Sequence, residues 1–196
     1  MSGKCLNYRM ASYKRLVERG KGNMKRGRAA DAVKAARKAA NMTQQQLSFE
    51  IYESRESVSH QENGRYRVQP NISKYFAEKH NNPWVALEAA AEYTGWGPVK
   101  LDGEMVDLHR ASVTMKTREE LTEALEAIES VCVANHPRSI RDFDKQHLEE
   151  AILQAIDAIV ALTQYVAVIC VDYGFSWLKM WQKHRTKLKT KGFIRK

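Results

Sequence analysis

The sequence has few of the residues from which metal sites, disulfide frameworks and catalytic centres are built. Its 196 residues include three cysteines, Cys5, Cys132 and Cys170, which are far apart and lack the paired spacing of a metal or redox motif. Its six histidines are scattered, with none at ligand spacing, and no set of residues supplies a nucleophile, a base and an oxyanion site together. We therefore expect no metal, no cofactor and no enzymatic activity, in a chain kept in the reducing cytoplasm.

Long hydrophobic runs are absent as well. The longest uncharged stretch, residues 158–171, has 14 residues, fewer than the roughly 20 that a membrane-crossing helix needs. Near the start of the chain, Lys4, Arg9 and Lys14 interrupt the apolar runs, so no export signal is expected. We predict no membrane partner, and a buried helix at residues 158–171.

The residues that are plentiful are those of an ordinary globular protein, 43% hydrophobic and 28% charged, but their charge is unevenly distributed. Residues 1–103 carry 18 Lys or Arg against 10 Asp or Glu, and residues 104–150 carry 6 against 11. Residues 179–196 carry eight cations and no carboxylate. A basic front, an acidic middle and a basic tail indicate a protein that presents one end to phosphate and uses its middle for protein contacts.

Helix start and stop patterns predict five short helices between residues 31 and 100. Residues 1–30, before them, are predicted to be a basic N-terminal extension, in which a weak helix leads into a glycine-containing arm at residues 19–28. From Asp31, which is placed to cap, the sequence becomes Ala-rich and helical as far as Asn41. This segment is the first predicted helix.

The other four helices follow from local capping and turn residues. Thr43 and Gln46 form a capping box that starts the second helix. Ser54 is placed to cap the third helix, and Pro70 and Pro83 lie where the fourth and fifth begin. The result is a compact helical domain.

Long helices are predicted in the second half. After a linker at residues 101–116, Thr117 and Glu120 form another capping box, and the helix that follows is expected to run through Cys132 to His136. An apolar repeat with 4-3 steps then predicts one helix of more than thirty residues. The residues expected to face a second copy are Leu148, Ile152, Ile159, Leu162, Val166 and Ile169. Residues 117–196 are therefore predicted to be a helical dimerisation region with a basic tail.

The stretch from Met42 to Gly64, MTQQQLSFEIYESRESVSHQENG, resembles the helix-turn-helix of the phage repressor and Cro (Xre-like) family. That family's pattern is Thr-Gln, an apolar residue, a tight turn, a Ser or Thr cap, and Glu-Asn-Gly or Glu-Arg-Gly at the end. The matching residues are Thr43, Gln44, Leu47, Ile51, Ser54, Val58, Glu62, Asn63 and Gly64. With its flanking helices the resemblance extends over residues 31–95.

The resemblance implies that the helix after Ser54 enters the major groove of DNA. Leu47, Ile51 and Val58 are expected to face one another across the turn, which directs the polar face of that helix outward. The expected base readers on this face are Arg55, Glu56, Ser59 and His60. An arginine can bind guanine O6 and N7 together, and a glutamate can accept from cytosine N4.

Contacts to the DNA backbone are implied by the same resemblance, and they position the protein without specifying sequence. The expected residues are Thr43, Gln44, Ser57, Asn63, Arg65, Tyr66 and Arg67. The arm at residues 19–28 either lies in an adjacent minor groove or is a solvated tail. Near phosphate, the carboxylates of Glu50, Glu53 and Glu56 must be offset by their neighbours.

The sequence therefore predicts an all-α protein, with a five-helix repressor-like domain and a long-helix dimerisation region, that acts as a transcriptional regulator in the cytoplasm at the nucleoid. A two-fold dimer would place its reading helices about 34 Å apart on an inverted repeat. Many phage repressors of this family carry a β-rich self-cleaving domain cut at Ala-Gly or Cys-Gly. Neither dipeptide occurs here, so induction by self-cleavage is not expected.

Two other functions stay open at this point. The chain could be an antirepressor or inhibitor that uses the same fold without specific DNA binding, with a regulatory protein bound to its C-terminal helices. Alternatively, residues 179–196, in which cations alternate with apolar residues, could hold the protein at a membrane surface.

Overall fold

The computed structural model describes residues 27–134 and 136–195, and within these ranges every regular element is helical. The helices are α1 (Arg28–Ala39), α2 (Gln44–Glu50), α3 (Arg55–Glu62), α4 (Pro70–Lys79), α5 (Pro83–Thr94), α6 (Arg110–Ser130), a 3-10 turn (Pro137–Ser139), α7 (Asp142–Asp172) and α8 (Trp177–Thr190). The chain forms two compact units, divided after Ile72. The predicted all-α class is confirmed, with short helices first and long helices in the C-terminal part.

Helix α1 begins earlier than predicted. Its N-cap is Gly27, and Asp31 lies inside the first turn, so the prediction that Asp31 caps the helix is wrong. Ala29 and Ala30 are buried, so the apolar face of the helix starts before Asp31. A carboxylate in the first turn still interacts favourably with the helix dipole. The first 26 residues of the predicted extension, including most of the basic arm, lie outside the described part of the chain.

Both predicted caps in the helix-turn-helix are confirmed. The Thr43 hydroxyl accepts a hydrogen bond from the Gln46 N–H at 3.1 Å, and the Gln46 side-chain oxygen accepts from the Thr43 N–H at 2.8 Å. Ser54 accepts from the Ser57 N–H at 3.0 Å at the start of α3. These caps satisfy backbone donors that a helix start otherwise leaves without partners.

Helix α5 also begins where the sequence predicts. The Asn82 side chain accepts from the Trp84 N–H at 3.0 Å, with Pro83 in the first helical position. The helix ends at Gly95, whose φ of +74° is a left-handed conformation that glycine adopts without strain. The connection after it is tied to α7 because Gln164 donates to the Val99 carbonyl at 2.8 Å.

Helix α6 differs from the prediction at both ends. It begins at Arg110 after the cap His109, so the predicted start at Thr117 is wrong. Thr117 is buried in mid-helix, where its hydroxyl donates to the Val113 carbonyl at 2.7 Å and the Ala161 carbonyl at 3.2 Å. The threonine that the sequence suggested as a helix cap therefore makes a contact between α6 and α7. The helix ends at Ser130, which leaves Cys132 exposed beyond it.

Helix α7 has 31 residues, which confirms the single long helix. It packs along α6 through small side chains, whereas its large apolar side chains are on the outside. The buried apolar residues of its first two thirds are Ala151, Ala158 and Ala161. Ile152, Ile156 and Ile159 are 52%, 47% and 54% exposed. Within residues 158–171, predicted as a buried helix, the small side chains and Val168 are buried, whereas Ile159 and Leu162 are exposed, so that prediction is confirmed only in part.

By length and composition alone, α7 is also long and apolar enough to cross a membrane, and 28% of its most apolar segment is buried. The sequence prediction counted only uncharged residues, whereas a span tolerates one or two charges. Core helices of soluble proteins pass the same test, so the observation carries little weight by itself.

The end of α7 and the start of α8 form a small core of their own. Ala167, Cys170 and Trp177 are buried together, and Trp84 and Val166 pack against them. Burial raises the pKa of the Cys170 thiol. Residues from α5 and α8 therefore cover the apolar surface of α7 near its C-terminal end. Nearer its N-terminal end, the apolar surface of α7 is exposed.

Candidate nucleic-acid interface

The four predicted base readers lie on one face of α3. Arg55 and Glu56 are exposed, and Ser59 and His60, one turn later, are partly exposed. The ring of His60 packs edge-on against Tyr66, with ring centroids 4.9 Å apart, and this contact restrains the imidazole. Because Val58 on the other side of α3 is fully buried, the reading face has a fixed direction within its unit.

Glu53 organises the turn between α2 and α3. Its carboxylate accepts hydrogen bonds from the Ser57 hydroxyl at 2.5 Å, the Gln61 amide at 2.8 Å and the Asn71 amide at 2.6 Å. These three hydrogen bonds stabilise the negative charge of Glu53, which reduces its repulsion of a nearby phosphate. Ser57, predicted as a backbone contact, has its hydroxyl committed to Glu53. Its backbone N–H is bound to Ser54.

A buried ion pair joins α1 to α3. Glu62 is fully buried, and its two oxygens accept from Nε and Nη2 of Arg37 at 2.5 and 2.9 Å. Arg37 also donates to the Met42 carbonyl at 2.6 Å. The hydrogen bond that Arg37 donates to Glu62 is the main cause of the raised pKa of Arg37. This guanidinium fork therefore fixes the end of α3 against the end of α1 and the loop after it.

Gln44, predicted as a phosphate contact, donates its side-chain amide to Glu62 at 2.8 Å. Its backbone N–H is in the first position of α2, where the helix itself supplies no acceptor. Sequence analysis recognised Glu62 as part of the terminal motif but missed its partner Arg37. A basic residue one turn after the apolar Val33 of an Ala-rich helix was the available indication.

The residues after α3 turn back along it. Gly64 adopts a φ of +70°, which lets the N–H of Arg65 bond the His60 carbonyl at 2.8 Å. Arg65, Tyr66 and Arg67 then follow as an exposed segment next to the reading face. Asn63 is exposed and donates to the Ser59 hydroxyl at 3.3 Å. The predicted backbone contacts after α3 therefore lie close to the predicted base readers.

Sequence analysis missed two exposed aromatic residues at the turn. Phe49 is 68% exposed, and Tyr52 is 96% exposed with a φ of +56°. A left-handed conformation is uncommon for a residue with a large side chain. The turn demands it, since the Tyr52 N–H bonds the Phe49 carbonyl and the Glu53 N–H bonds the Ser48 carbonyl at 3.0 Å. No glycine was present to indicate the turn.

Comparison with known proteins bears on this segment. Residues 33–79 match a family model described as helix-turn-helix, and the match runs from α1 through α4. No curated protein and no solved structure matches the chain. The family match supports a DNA-binding transcription regulator in general, a class that is not normally enzymatic. Residues 33–79 are thus a helix-turn-helix segment of the Cro/C1 type, in agreement with the resemblance in sequence.

Proposed function

We propose that the chain is a transcriptional repressor of the phage or mobile-element type, which binds an inverted repeat in double-stranded DNA as a homodimer. One observation carries the proposal: the outer face of α3 is polar and accessible, while the acidic groups beneath it are occupied. Arg55 and Glu56 are exposed there, whereas Glu53 and Glu62 accept hydrogen bonds from their own unit. Such a face suits base edges in the major groove.

In this proposal Arg55, Glu56, Ser59 and His60 read bases. Arg55 is suited to guanine, because its guanidinium can donate two parallel hydrogen bonds to O6 and N7. The phosphate contacts come mainly from the exposed segment of Arg65, Tyr66 and Arg67, together with Asn63 and the backbone N–H of Gln44. The Thr43 N–H is already bonded to the Gln46 side chain. Ser57 acts through Glu53 rather than on DNA directly.

The dimer is proposed to form through the outer face of α7. Ile152 and Ile159 are seven residues apart in the same row as Val166, and Val166 packs against the core around Trp177. The two isoleucines of this row, which precede Val166 in sequence, are each about half exposed. Burying a whole isoleucine side chain contributes about 1.5 to 3 kcal/mol, so a row of half-exposed ones favours association.

A second copy of the chain is the occupant that fits this face best. In α6 the apolar residues Leu125 and Ile128 are also exposed, so the α6–α7 hairpin presents apolar residues from both helices. Two such hairpins can pack as a four-helix bundle. Leu148, Leu162 and Ile169 belong to the same 4-3 repeat, so we include them in the proposed interface, and the same apolar surface is where a regulatory protein partner would bind.

A transmembrane role for α7 is disfavoured by its charges. Asp157 lies at the midpoint of the helix, where a carboxylate costs about 2.5 to 3.5 kcal/mol in a bilayer. A single span would also send the eight cations of residues 179–196 to the side opposite the DNA, against the preference of basic segments for the cytoplasmic side. We therefore propose a cytoplasmic, nucleoid-associated protein in which the N-terminal unit binds DNA and the α6–α7 hairpin forms the dimer, with α6 taking up residues 110–116 of the predicted linker.

Selection of genomic fragments by the purified protein tests the proposal, and an inverted repeat is the expected result. On the selected site, Arg55→Ala should weaken binding by about 1 to 3 kcal/mol and relax preference at one position. Arg65→Ala should weaken all sequences alike. Arg138→Ala, an exposed arginine of the 3-10 turn, removes the same charge and should leave binding unchanged. Selection of random fragments, or no effect of Arg55→Ala, contradicts the proposal.

A further inference from the structure

Helix α8 has an extreme charge composition. No Asp or Glu follows Asp172, and eight Lys or Arg residues lie between residues 179 and 196. Lys179, Lys183 and Lys187 are spaced four residues apart, so they form one row along α8, and all three are exposed. Like charges at this spacing destabilise an isolated helix. In the described part of the chain, none of the three takes part in a salt bridge.

This charged row is carried on a helix whose start is firmly held. Asn81 accepts from the Trp177 N–H at 2.8 Å and donates to the Phe175 carbonyl at 2.8 Å. The indole of Trp177 is buried against Ala167 and Cys170, and Ser176 caps the helix. Because its first turn is fixed to the C-terminal unit, α8 presents its lysines as an ordered surface.

The helix dipole accounts for only some of these cations. Lys187 and Lys189 lie in the last turn, where positive charge is stabilising. Lys179 and Lys183 lie in the first half of the helix, where the dipole does not favour cations. Their positions are therefore better explained by an anionic ligand along the whole row than by helix stability.

The apolar side of α8 argues for nucleic acid rather than lipid. A helix that lies in a membrane surface needs a continuous apolar face to insert. In α8, Trp177, Leu178 and Met180 already pack in the protein core. This leaves Trp181, which is 50% exposed, and Leu188 further along, with Phe193 and Ile194 exposed beyond the end of the helix. These residues are spread over 14 positions and do not form a continuous apolar face. What remains accessible is mainly the lysine row, and a chain of phosphates matches it without insertion.

We propose that α8 is a second DNA-binding surface, which contacts backbone phosphates of the duplex and reads no sequence. It adds salt-dependent affinity to that of the helix-turn-helix, by release of the counterions that each contacted phosphate held. The proposal rests on the proposed function in that DNA is the ligand, but its surface and its effect are separate from those of α3.

The test compares two variants of the full chain with equal net charge. One carries Lys179→Gln, Lys183→Gln and Lys187→Gln, and the other carries Arg118→Gln, Arg138→Gln and Lys145→Gln, which are exposed residues elsewhere in the C-terminal unit. Glutamine keeps helix propensity near that of lysine. Circular dichroism verifies that both variants remain folded. Binding to a random-sequence duplex is measured by fluorescence anisotropy between about 50 and 200 mM salt.

The α8 variant should bind the random duplex at least about tenfold more weakly, with a salt slope lower by about one for each lysine that contacts phosphate. The control variant should match the unmodified protein. Equal losses in both variants would mean that only net charge matters, and no loss in either would mean that α8 does not contact DNA. Tighter binding of the unmodified protein to phosphatidylserine vesicles than to duplex at the same salt would assign α8 to lipid. Each of these three results overturns the proposal.

A second measurement avoids substitutions. Bound duplex should protect the Nζ atoms of Lys179, Lys183 and Lys187 from acetylation in the unmodified protein, while Lys145 stays reactive. The two proposals also fail separately. If Arg55→Ala leaves sequence preference intact but the α8 variant loses affinity, the assignment of α3 fails and that of α8 stands. If the α8 variant binds a selected inverted repeat with an unchanged salt slope, the reverse holds.

Discussion

The N-terminal unit and the α6–α7 hairpin of the C-terminal unit bury different kinds of side chain. In the N-terminal unit, bulky residues such as Leu47 and Val58 are fully buried, and the buried carboxylate of Glu62 meets a guanidinium. In the C-terminal unit, the α6–α7 hairpin buries alanines and leaves isoleucines such as Ile152 about half exposed. The bulky apolar residues of the N-terminal unit are therefore buried within that unit. The hairpin instead exposes large apolar residues of the kind that normally lie in a protein core.

The contrast is sharpest at the ion pair, where we expect the largest effect on stability. Arg37→Met should lower the free energy of unfolding by about 3 to 5 kcal/mol, because it leaves the fully buried Glu62 without its cation. Urea unfolding followed by circular dichroism measures the change. Lys38→Met, at an exposed neighbouring position, is the control and should change stability little. A loss below about 1 kcal/mol for Arg37→Met would mean that the interior of this unit does not depend on the pair.

For the α6–α7 hairpin, we expect a polar substitution on the exposed face of α7 to weaken dimer formation without unfolding the protein. Ile159→Asp places a carboxylate in the half-exposed row of α7 and should raise the dimer dissociation constant at least about tenfold, which corresponds to 1.4 kcal/mol. Sedimentation equilibrium measures it, and helicity should be unchanged. Met115→Asp, at an exposed apolar position of α6 outside this row, should leave the dimer intact. Equal dissociation constants for both variants would remove α7 from the interface.

Sequence analysis succeeded where a structure depends on neighbouring residues. The caps at Thr43, Ser54 and Asn82 are local hydrogen bonds, so the residues that make them are adjacent in sequence. At Thr117 the same kind of pattern occurs inside a helix, because the hydroxyl bonds a carbonyl of α7 44 residues away. Nothing in the local sequence separates these two uses of a threonine.

Contacts between residues far apart in the sequence could not be predicted from the sequence alone. Arg37 and Glu62 are 25 residues apart, and both occur in stretches where an exposed charge would be unremarkable. The repeat in α7 correctly indicated a single long helix. Which side α6 covers depends on close approach, and small residues such as Ala158 and Ala161 permit it. Periodicity weighs large residues most, so it pointed to the side that is left exposed.

A smaller effect is expected at the start of the reading helix. Ser54→Ala removes the side-chain acceptor for the Ser57 N–H and should cost about 1 kcal/mol of unfolding free energy. Ser59→Ala, the same substitution five residues later in α3, should leave stability nearly unchanged, since that hydroxyl accepts only a 3.3 Å bond from an exposed amide. Thermal and urea unfolding compare the two. If Ser59→Ala were the more destabilising, the cap would not be what fixes α3.

The smallest effect is expected at Tyr52, where the otherwise complete N-terminal unit retains strain. Its φ of +56° and 96% exposure mean that Tyr52→Gly relieves a left-handed conformation and loses almost no packing. Relief of about 1 kcal/mol is partly offset by the greater freedom of glycine in the unfolded chain, so a net gain of about 0.5 kcal/mol is expected. Tyr52→Ala keeps the Cβ and the strain, so urea unfolding should show no gain for it. Equal changes for Gly and Ala would trace the effect to the aromatic ring and not to the backbone.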